Sequence, residues 1–199
     1  MEHDGPRQPQ AALEAAFRAV PRERFLPPEL RHRAGEDVPL PIGEGQTSSQ
    51  PTTVRNMLAL LDVRQGHRVL DLGSGSGWTT ALLDHLVGPA GEVLGVERQE
   101  RLLGPARAAL AETAPEPRAR LRAAHPGVLG APQDAPFDRI LVSAGAHRCP
   151  PELVDQLGED GVMVIPVQER MLRVVRRGEE IEQSTHGAYR FVPLIEDHS

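Results

Sequence analysis

The stretch that decides the fold is "HRVLDLGSGSGWTTALLDHLV", residues 67–87. It begins with a short apolar run, as in a buried strand, and it ends with apolar residues at helical spacing. Gly73, Gly75 and Gly77 stand between the two. Glycine lets a backbone approach a ligand closely where a side chain would clash. The stretch therefore predicts a strand, a ligand-binding glycine loop and a helix, in that order.

Strands and helices continue to alternate beyond this stretch. The predicted strands cover residues 67–72, 91–97, 119–125, 137–144, 161–167, 171–178 and 188–195. The predicted helices cover residues 11–20, 51–63, 76–87, 99–113 and 150–158. Alternation of this kind predicts an α/β fold with a doubly wound, mostly parallel seven-stranded sheet and helices on both faces.

The order of the segments also predicts how the chain is organised. We expect a single domain over residues 1–199. Within it, residues 1–9 are expected to be a disordered tail, and residues 10–66 an N-terminal helical extension on the substrate side. Residues 67–199 would then form the α/β core.

Composition narrows the classes of function. The net charge of -6 disfavours nucleic acid or an anionic membrane surface as a partner. No apolar run approaches the roughly 18 residues that a membrane span needs. The single cysteine, Cys149, excludes an internal disulfide and fits a reducing cytoplasm. All 22 basic residues are arginine, so the chemistry does not use lysine. We expect a cytoplasmic protein, monomeric, with no nucleic-acid or membrane partner.

The glycine loop predicts which kind of ligand is bound. Glu97 ends the second predicted strand about 20 residues beyond Gly77, where an acid can hold both hydroxyls of a ribose. Trp78 occupies the position at which the dinucleotide fingerprint G-x-G-x-x-G needs its last glycine. The pattern D-x-G-x-G-x-G instead resembles the first motif of class I S-adenosylmethionine-dependent methyltransferases. That resemblance implies that Asp71 lies near the ammonium group of the ligand; the alternative is that Asp71 caps the loop or the helix.

A second polar segment, "GEGQTSSQP" at residues 43–51, contains no basic residue. If a methyl sulfonium lies at the glycine loop, a carboxylate acceptor needs no general base, because its pKa near 4 makes it an anion at pH 7. Charge disappears as the anion and the cation react, so an arginine bound to the carboxylate would stabilise the ground state more than the transition state. Hydroxyl and backbone N–H groups would orient the acceptor without that cost.

These segments together resemble one family, protein-L-isoaspartate O-methyltransferase. The resemblance lies in "PLPIGEGQTSSQPTTVRNMLALL", "VLDLGSGSGWTTALL", "GVE", "APFDRILVSAGA", "PPELVDQLGEDGVMVIPV" and "YRFVPL". It implies a Rossmann-like class I methyltransferase core, and methyl transfer from S-adenosylmethionine to the carboxylate of L-isoaspartyl residues in peptides or proteins. The products would be S-adenosylhomocysteine and an ester that returns to aspartate through a succinimide.

The resemblance also assigns residues. It implies that Ser49, helped by Thr47, holds the acceptor carboxylate. The residues implied to contact the cofactor are Gln46, Thr47, Ser48, Asp71, Gly73, Ser74, Gly75, Gly77, Glu97, Arg98, Pro126 and Gly127.

Two departures from the family pattern keep alternatives open. Ser48 stands where the family usually has an apolar residue, and His125, Pro126 and Gly127 stand where it usually has Gly-Asp-Gly. The aspartate of that motif meets the adenine end of the cofactor, and losing a charge-assisted contact costs about 1.5–3 kcal/mol. One alternative is therefore a peptide-tailoring methyltransferase that forms an aspartimide in a precursor peptide. The other is a binding module that has lost its cofactor.

Four further residues have weaker interpretations. His147 and Cys149 are two metal-ligand types in one loop, but two residues do not make a metal site, so we predict no metal. His186 is interpreted as a loop residue, with a place in the peptide cleft as the alternative. Trp78 is predicted to pack on the first turn of its helix rather than to stack on adenine.

Overall fold

The computed structural model describes residues 10–113 and 118–195. Its helices are α1 (Gln10–Ala19), α2 (Pro51–Leu61), α3 (Trp78–Val87), α4 (Glu100–Ala111) and α5 (Pro151–Val154). Its strands are β1 (Leu40–Gly43), β2 (Gln46–Ser48), β3 (Arg68–Leu72), β4 (Glu92–Glu97), β5 (Ala119–Ala123), β6 (Phe137–Val142), β7 (Leu157–Val167), β8 (Arg170–Arg177) and β9 (Glu180–Ala188). Short 3₁₀ helices cover Arg22–Phe25, Pro28–Arg33 and Pro132–Asp134.

The main sheet has the predicted doubly wound topology. Among the described residues it contains seven strands in the order β5-β4-β3-β6-β7-β8-β9. The pairs from β5 to β7 are parallel, and β8 and β9 are antiparallel to their neighbours. The chain leaves β3 toward β4 and β5 and later returns to the other side of β3 as β6. Strand order thus reverses between β3 and β6, and in such sheets ligands bind outside the carboxyl ends of the strands at this point.

Alternate residues of the strands supply two cores, one on each face of the sheet. Val69 and Leu141 pack with apolar residues of α1, α2, α3 and α4. Leu70 and Ile140 point to the other face, where α5 and irregular segments cover them. Strands buried on both faces read as continuous apolar runs, which explains why β3 and β6 are easy to recognise in the sequence.

The last predicted strand is wrong. Residues 188–195 were expected to pair in the sheet, but the edge strand is β9, Glu180–Ala188, and the chain beyond it crosses the end of the sheet. There Gly145 donates to the carbonyl of Val192 over 2.8 Å, and Leu194 donates to the carbonyl of Gly145 over 2.8 Å. β9 carries few apolar residues because it is an exposed edge, so its sequence lacks the signal of a buried strand.

The segment before α2 contains two strands that the sequence analysis did not predict. β1 and β2 form an antiparallel hairpin whose turn has positive φ at Gly43, Glu44 and Gly45. The helix predicted over residues 150–158 ends at Val154, and Leu157 already pairs with Phe137 as part of β7.

The N-terminal extension packs directly on the core. Phe17 of α1 meets Trp78 at the start of α3, with ring centroids 5.6 Å apart in an edge-to-face arrangement. The Trp78 indole also donates to the carbonyl of Val20 over 3.1 Å, as expected for a packing role. The predicted tail, residues 1–9, lies outside the described residues, and the division at residues 66 and 67 stays a prediction. Within the described ranges, no helix is long and apolar enough to cross a membrane.

Candidate active site

The glycine loop joins β3 to α3 and is held from both sides. Gly73 and Gly75 have φ values of 80° and 53°, which favour glycine. The N–H groups of Gly73 and Ser74 donate to the carbonyl of Val96 over 2.9 and 3.2 Å. A Cβ on Gly75 would lie 3.1 Å from Ile42 of β1. Positive φ at both glycines and the close approach of Ile42 to Gly75 therefore disfavour side chains here, and both glycines line the cavity described below.

Glu97 completes the loop from the end of β4. Its side chain is 5% exposed. Oε2 accepts the N–H of Gly75 over 2.7 Å, and Oε1 accepts the N–H of Gln99 over 2.8 Å. Each carboxylate oxygen retains a further lone pair, which can accept from a hydroxyl group. Glu97 thus supplies the acceptors that a ribose diol needs.

Asp71 does not face the ligand as expected. Its side chain is fully buried, and it accepts the hydroxyl of Thr80 at Oδ2 over 2.6 Å. Burial raises the pKa of Asp71 to about 7; the Thr80 bond opposes this shift and the charge of Glu97 adds to it. Asp71 does not line the cavity described below. A direct contact with the ligand's ammonium group therefore does not fit its position. Its bond to Thr80 joins β3 to α3 through two side chains, and α3 has no side-chain cap, so the capping alternative does not fit either.

The second polar segment forms one wall of the site. Gln46–Ser48 is strand β2, and Ser49 follows it, half-buried, just before α2. Ser48 is buried beneath Arg22, whose Nε donates to the Ser48 hydroxyl over 3.1 Å. The segment contains no basic residue of its own, but the fold brings a cation, Arg22, into contact with Ser48. Arg22 does not line the cavity, however, so its charge lies behind this wall.

A cavity of about 510 Å³ lies at the point where strand order reverses. Its walls include the glycine loop, the end of β4 with Arg98, the segment 46–49, and residues 192–195 of the C-terminal crossing. Predicted site residues that line it are Gln46, Thr47, Ser48, Ser49, Gly73, Ser74, Gly75, Glu97, Arg98, Pro126 and Gly127. Gly77 does not line it; this residue caps α3 with a φ of 86°, a conformation that favours glycine.

The loop after β5 forms another part of the lining. His125, Pro126 and Gly127 are exposed and face the cavity. Val128 N–H donates to the carbonyl of His125 over 3.1 Å, which closes a turn around Pro126. Pro126 offers neither an acid nor an N–H, so the departure from the family pattern lies in the cavity wall itself.

Of the four residues with weaker interpretations, His147, Cys149 and His186 do not line the cavity, whereas Trp78 does. His186 lies on β9, 2.8 Å from the hydroxyl of Ser184, and does not line the cavity. Cys149 is half-buried, and burial raises the pKa of its thiol. Among the described residues, no group of three or more His, Cys, Asp or Glu side chains is placed to hold a metal ion.

Sequence reasoning missed three contributors to the site. Ser143 lines the cavity after β6, and its N–H donates to the carbonyl of Leu72 over 2.9 Å. Its position at the end of a predicted strand was the available signal. Arg22 and Asp37 contact the second polar segment from 26 and 13 positions away, and no local pattern indicates such contacts.

The fold and the cavity define a class I methyltransferase: a mostly parallel sheet with a glycine loop after its first strand and an acid at the end of the next. Comparison with known proteins then identifies the family. The family model described as Protein-L-isoaspartate(D-aspartate) O-methyltransferase (PCMT) matches residues 5–199. The chain belongs to this family.

Individual relatives agree with the family match. The protein-L-isoaspartate O-methyltransferase of Methanopyrus kandleri is 45% identical over 185 residues, covering 90% of this chain and 81% of that protein. The one from Anaeromyxobacter dehalogenans is 48% identical over 185 residues, covering 90% and 87%. A Plasmodium falciparum structure described as a protein-L-isoaspartate O-methyltransferase beta-aspartate methyltransferase (PCMT), in complex with S-adenosyl-L-homocysteine, shares the fold. Its TM-score is 0.79 at 22% identity, and the match covers 99% of this chain and 93% of that chain.

Proposed function

We propose that the chain methylates the free carboxylate of L-isoaspartyl residues in peptides and proteins, with S-adenosylmethionine as methyl donor. The observation that carries the proposal is that the glycine loop and Ser49 line the same cavity of about 510 Å³. Ligand cavities commonly measure about 300–1,000 Å³. The cavity therefore has room for the methyl donor at the glycine loop and for the methyl acceptor at Ser49.

The glycine loop and Glu97 suit S-adenosylmethionine as a ligand. Gly73 and Gly75 adopt positive φ, so the backbone can approach the ligand without a side chain between them. Glu97 presents a buried carboxylate to a ribose diol. Bound there, the cofactor supplies an electrophilic methyl group.

Ser49 and Thr47 orient the acceptor carboxylate. An isoaspartyl carboxylate is already ionised at pH 7, so it needs orientation rather than proton removal. Hydroxyl donors provide orientation while leaving the negative charge available for attack. Holding both reactants at reacting distance contributes up to roughly 7–11 kcal/mol to such a step.

The placement of Arg22 supports this interpretation. Its side chain is 5% exposed, and its donors go to the Ser48 hydroxyl and to backbone carbonyls. The guanidinium therefore organises the wall of the site and does not neutralise the acceptor carboxylate.

Isotope-labelled S-adenosylmethionine with matched isoaspartyl and aspartyl peptides tests the proposal. We expect label on the isoaspartyl peptides across unrelated sequences. Label confined to one aspartyl precursor peptide would support the peptide-tailoring alternative instead. Absence of S-adenosylhomocysteine binding by calorimetry at about 1 mM would support the cofactor-deficient module.

We further propose that the chain acts as a monomer in the cytoplasm without a nucleic-acid partner. The acidic balance and the single cysteine, Cys149, support this. Size-exclusion chromatography with light scattering should give a mass close to 21.7 kDa; twice that mass would contradict it.

A further inference from the structure

We propose that Arg22 and Asp37 are positioning residues, which fix Ser49 by holding the residues on either side of it. The inference rests on the proposed role of Ser49. Ser49 itself makes no side-chain hydrogen bond within the described ranges 10–113 and 118–195, so the position of its backbone is what limits where its hydroxyl can lie.

Arg22 holds the N-terminal flank. Its Nε donates to the Ser48 hydroxyl over 3.1 Å, and Nη2 donates to the Ser48 carbonyl over 3.0 Å. Nη2 and Nη1 also donate to the carbonyls of Val38 and Glu36 over 2.9 and 3.1 Å. A planar guanidinium can serve these acceptors together, whereas an ammonium group cannot.

The same guanidinium is tied to the cofactor side of the site. It lies 5.4 Å from the centroid of the Trp78 ring, at the first turn of α3 after the glycine loop. Burial lowers the pKa of Arg22, opposed by the charges of Asp37 and Glu36, yet an arginine remains charged at neutral pH. Its donors must therefore stay paired, because an unpaired buried charge is strongly unfavourable.

Asp37 holds the C-terminal flank. Its carboxylate accepts the amide of Gln50 over 2.9 Å, the N–H of Thr52 over 2.8 Å and the hydroxyl of Thr52 over 2.8 Å. Gln50, at the cap position of α2, makes no side-chain capping bond of its own. Asp37 therefore caps the helix from a distant part of the chain, and its charge suits the positive end of the helix dipole.

Together these contacts leave Ser49 little freedom at its backbone. Ser48 is fixed by Arg22, and Gln50 and Thr52 are fixed by Asp37. The Asp37 side chain is exposed and does not line the cavity, so it acts on the reaction only through Ser49 and its neighbours. A displacement of about 1 Å at a reacting centre costs on the order of 100-fold in rate.

The test is a set of variants assayed with an isoaspartyl peptide, each also made in the Ser49→Ala background. We expect Asp37→Ala to lower kcat about 10-fold. Asp37→Asn should lower kcat less, because asparagine keeps one acceptor oxygen. Both variants should bind S-adenosylhomocysteine within about threefold of the parent chain. Arg22→Lys should lower kcat at least as much as Asp37→Ala does. In the Ser49→Ala background the further loss should be under about twofold, since residues that act through one another are not additive.

Matched controls lie beside each residue. Glu36→Ala removes the adjacent exposed carboxylate, which pairs with Arg33, and Arg24→Lys changes an exposed arginine on the same 3₁₀ helix. Both should retain the kcat of the parent chain. Parent-like kcat for folded Asp37→Ala, or an equal loss with and without Ser49, would overturn the inference. If Arg22→Lys does not fold, the Asp37 series decides.

Hydrogen–deuterium exchange separates this inference from the proposed function. In Asp37→Ala, peptides over residues 46–54 should exchange at least about fivefold faster, while those over α3 should be unchanged. Unchanged exchange at 46–54 overturns the inference even if the parent chain transfers no methyl group. Failure of the parent chain with every isoaspartyl peptide instead counts against the proposed function.

Discussion

The carboxylate of Glu97 accepts the backbone N–H of Gly75 across 2.7 Å. This bond joins the end of β4 to the loop that follows β3, so one side chain both shapes the glycine loop and lines the cavity. The acid is thereby fixed before any ligand arrives, and preorganisation of this kind lowers the cost of binding.

Glu97→Gln should weaken S-adenosylhomocysteine binding about 10- to 100-fold, because charge-assisted hydrogen bonds contribute about 1.5–3 kcal/mol. The measurement is isothermal titration calorimetry. Glu92→Gln, at the opposite end of β4, is the matched control and should bind as the parent chain does. Equal affinities for all three proteins would remove Glu97 from cofactor binding.

Ser49→Ala should lower kcat by about 10- to 100-fold while S-adenosylhomocysteine affinity changes little, because the hydroxyl is proposed to orient only the acceptor. Steady-state kinetics and calorimetry provide the two readouts. Ser184→Ala, on the edge strand β9, serves as the control. An unchanged kcat for Ser49→Ala would exclude Ser49 from the mechanism.

Asp71→Asn should make folding stability less sensitive to pH. The pKa of Asp71 is raised to about 7 in the folded protein, so between pH 4 and 7 the native state holds a proton that the unfolded state has lost. Stability is therefore lost as pH rises through this window, by roughly 4 kcal/mol at most. Asparagine removes this penalty and still accepts the hydroxyl of Thr80.

Chemical unfolding at pH 5 and pH 8 measures the effect. The parent chain should lose more stability between these values than Asp71→Asn. Asp155→Asn, an exposed position, should follow the parent chain. A variant at Asp71 with the pH dependence of the parent would contradict the raised pKa.

Pro126→Asp should strengthen S-adenosylhomocysteine binding about 10-fold, which corresponds to about 1.4 kcal/mol. The position is exposed and lines the cavity, and the resemblance to the family implies an acid at the adenine end there. Pro126→Asn makes the same backbone change without the charge, so it should gain much less. Tighter binding by both variants would assign the effect to the backbone instead.

Local sequence was sufficient for the parts of the fold that depend on short-range patterns. The apolar runs of β3 and β6 and the glycines between β3 and α3 are visible because burial on both faces and positive φ each demand particular residues. The edge strand β9 was missed because an exposed edge makes no such demand. The segment 188–195 was mistaken for a strand because its apolar residues cover the cavity rather than a neighbouring strand.

The candidate site divides in the same way. The glycine loop and Glu97 were recognised from sequence because each lies at the end of an element whose pattern is local, and the segment 46–49 was assigned by its resemblance to the family. The burial of Asp71, the guanidinium of Arg22 behind Ser48, and the capping of α2 by Asp37 were decided only by the tertiary structure. Hydrogen bonds between residues far apart in the chain depend on where folding brings those residues together. No local spacing in the sequence indicates which distant residues will meet.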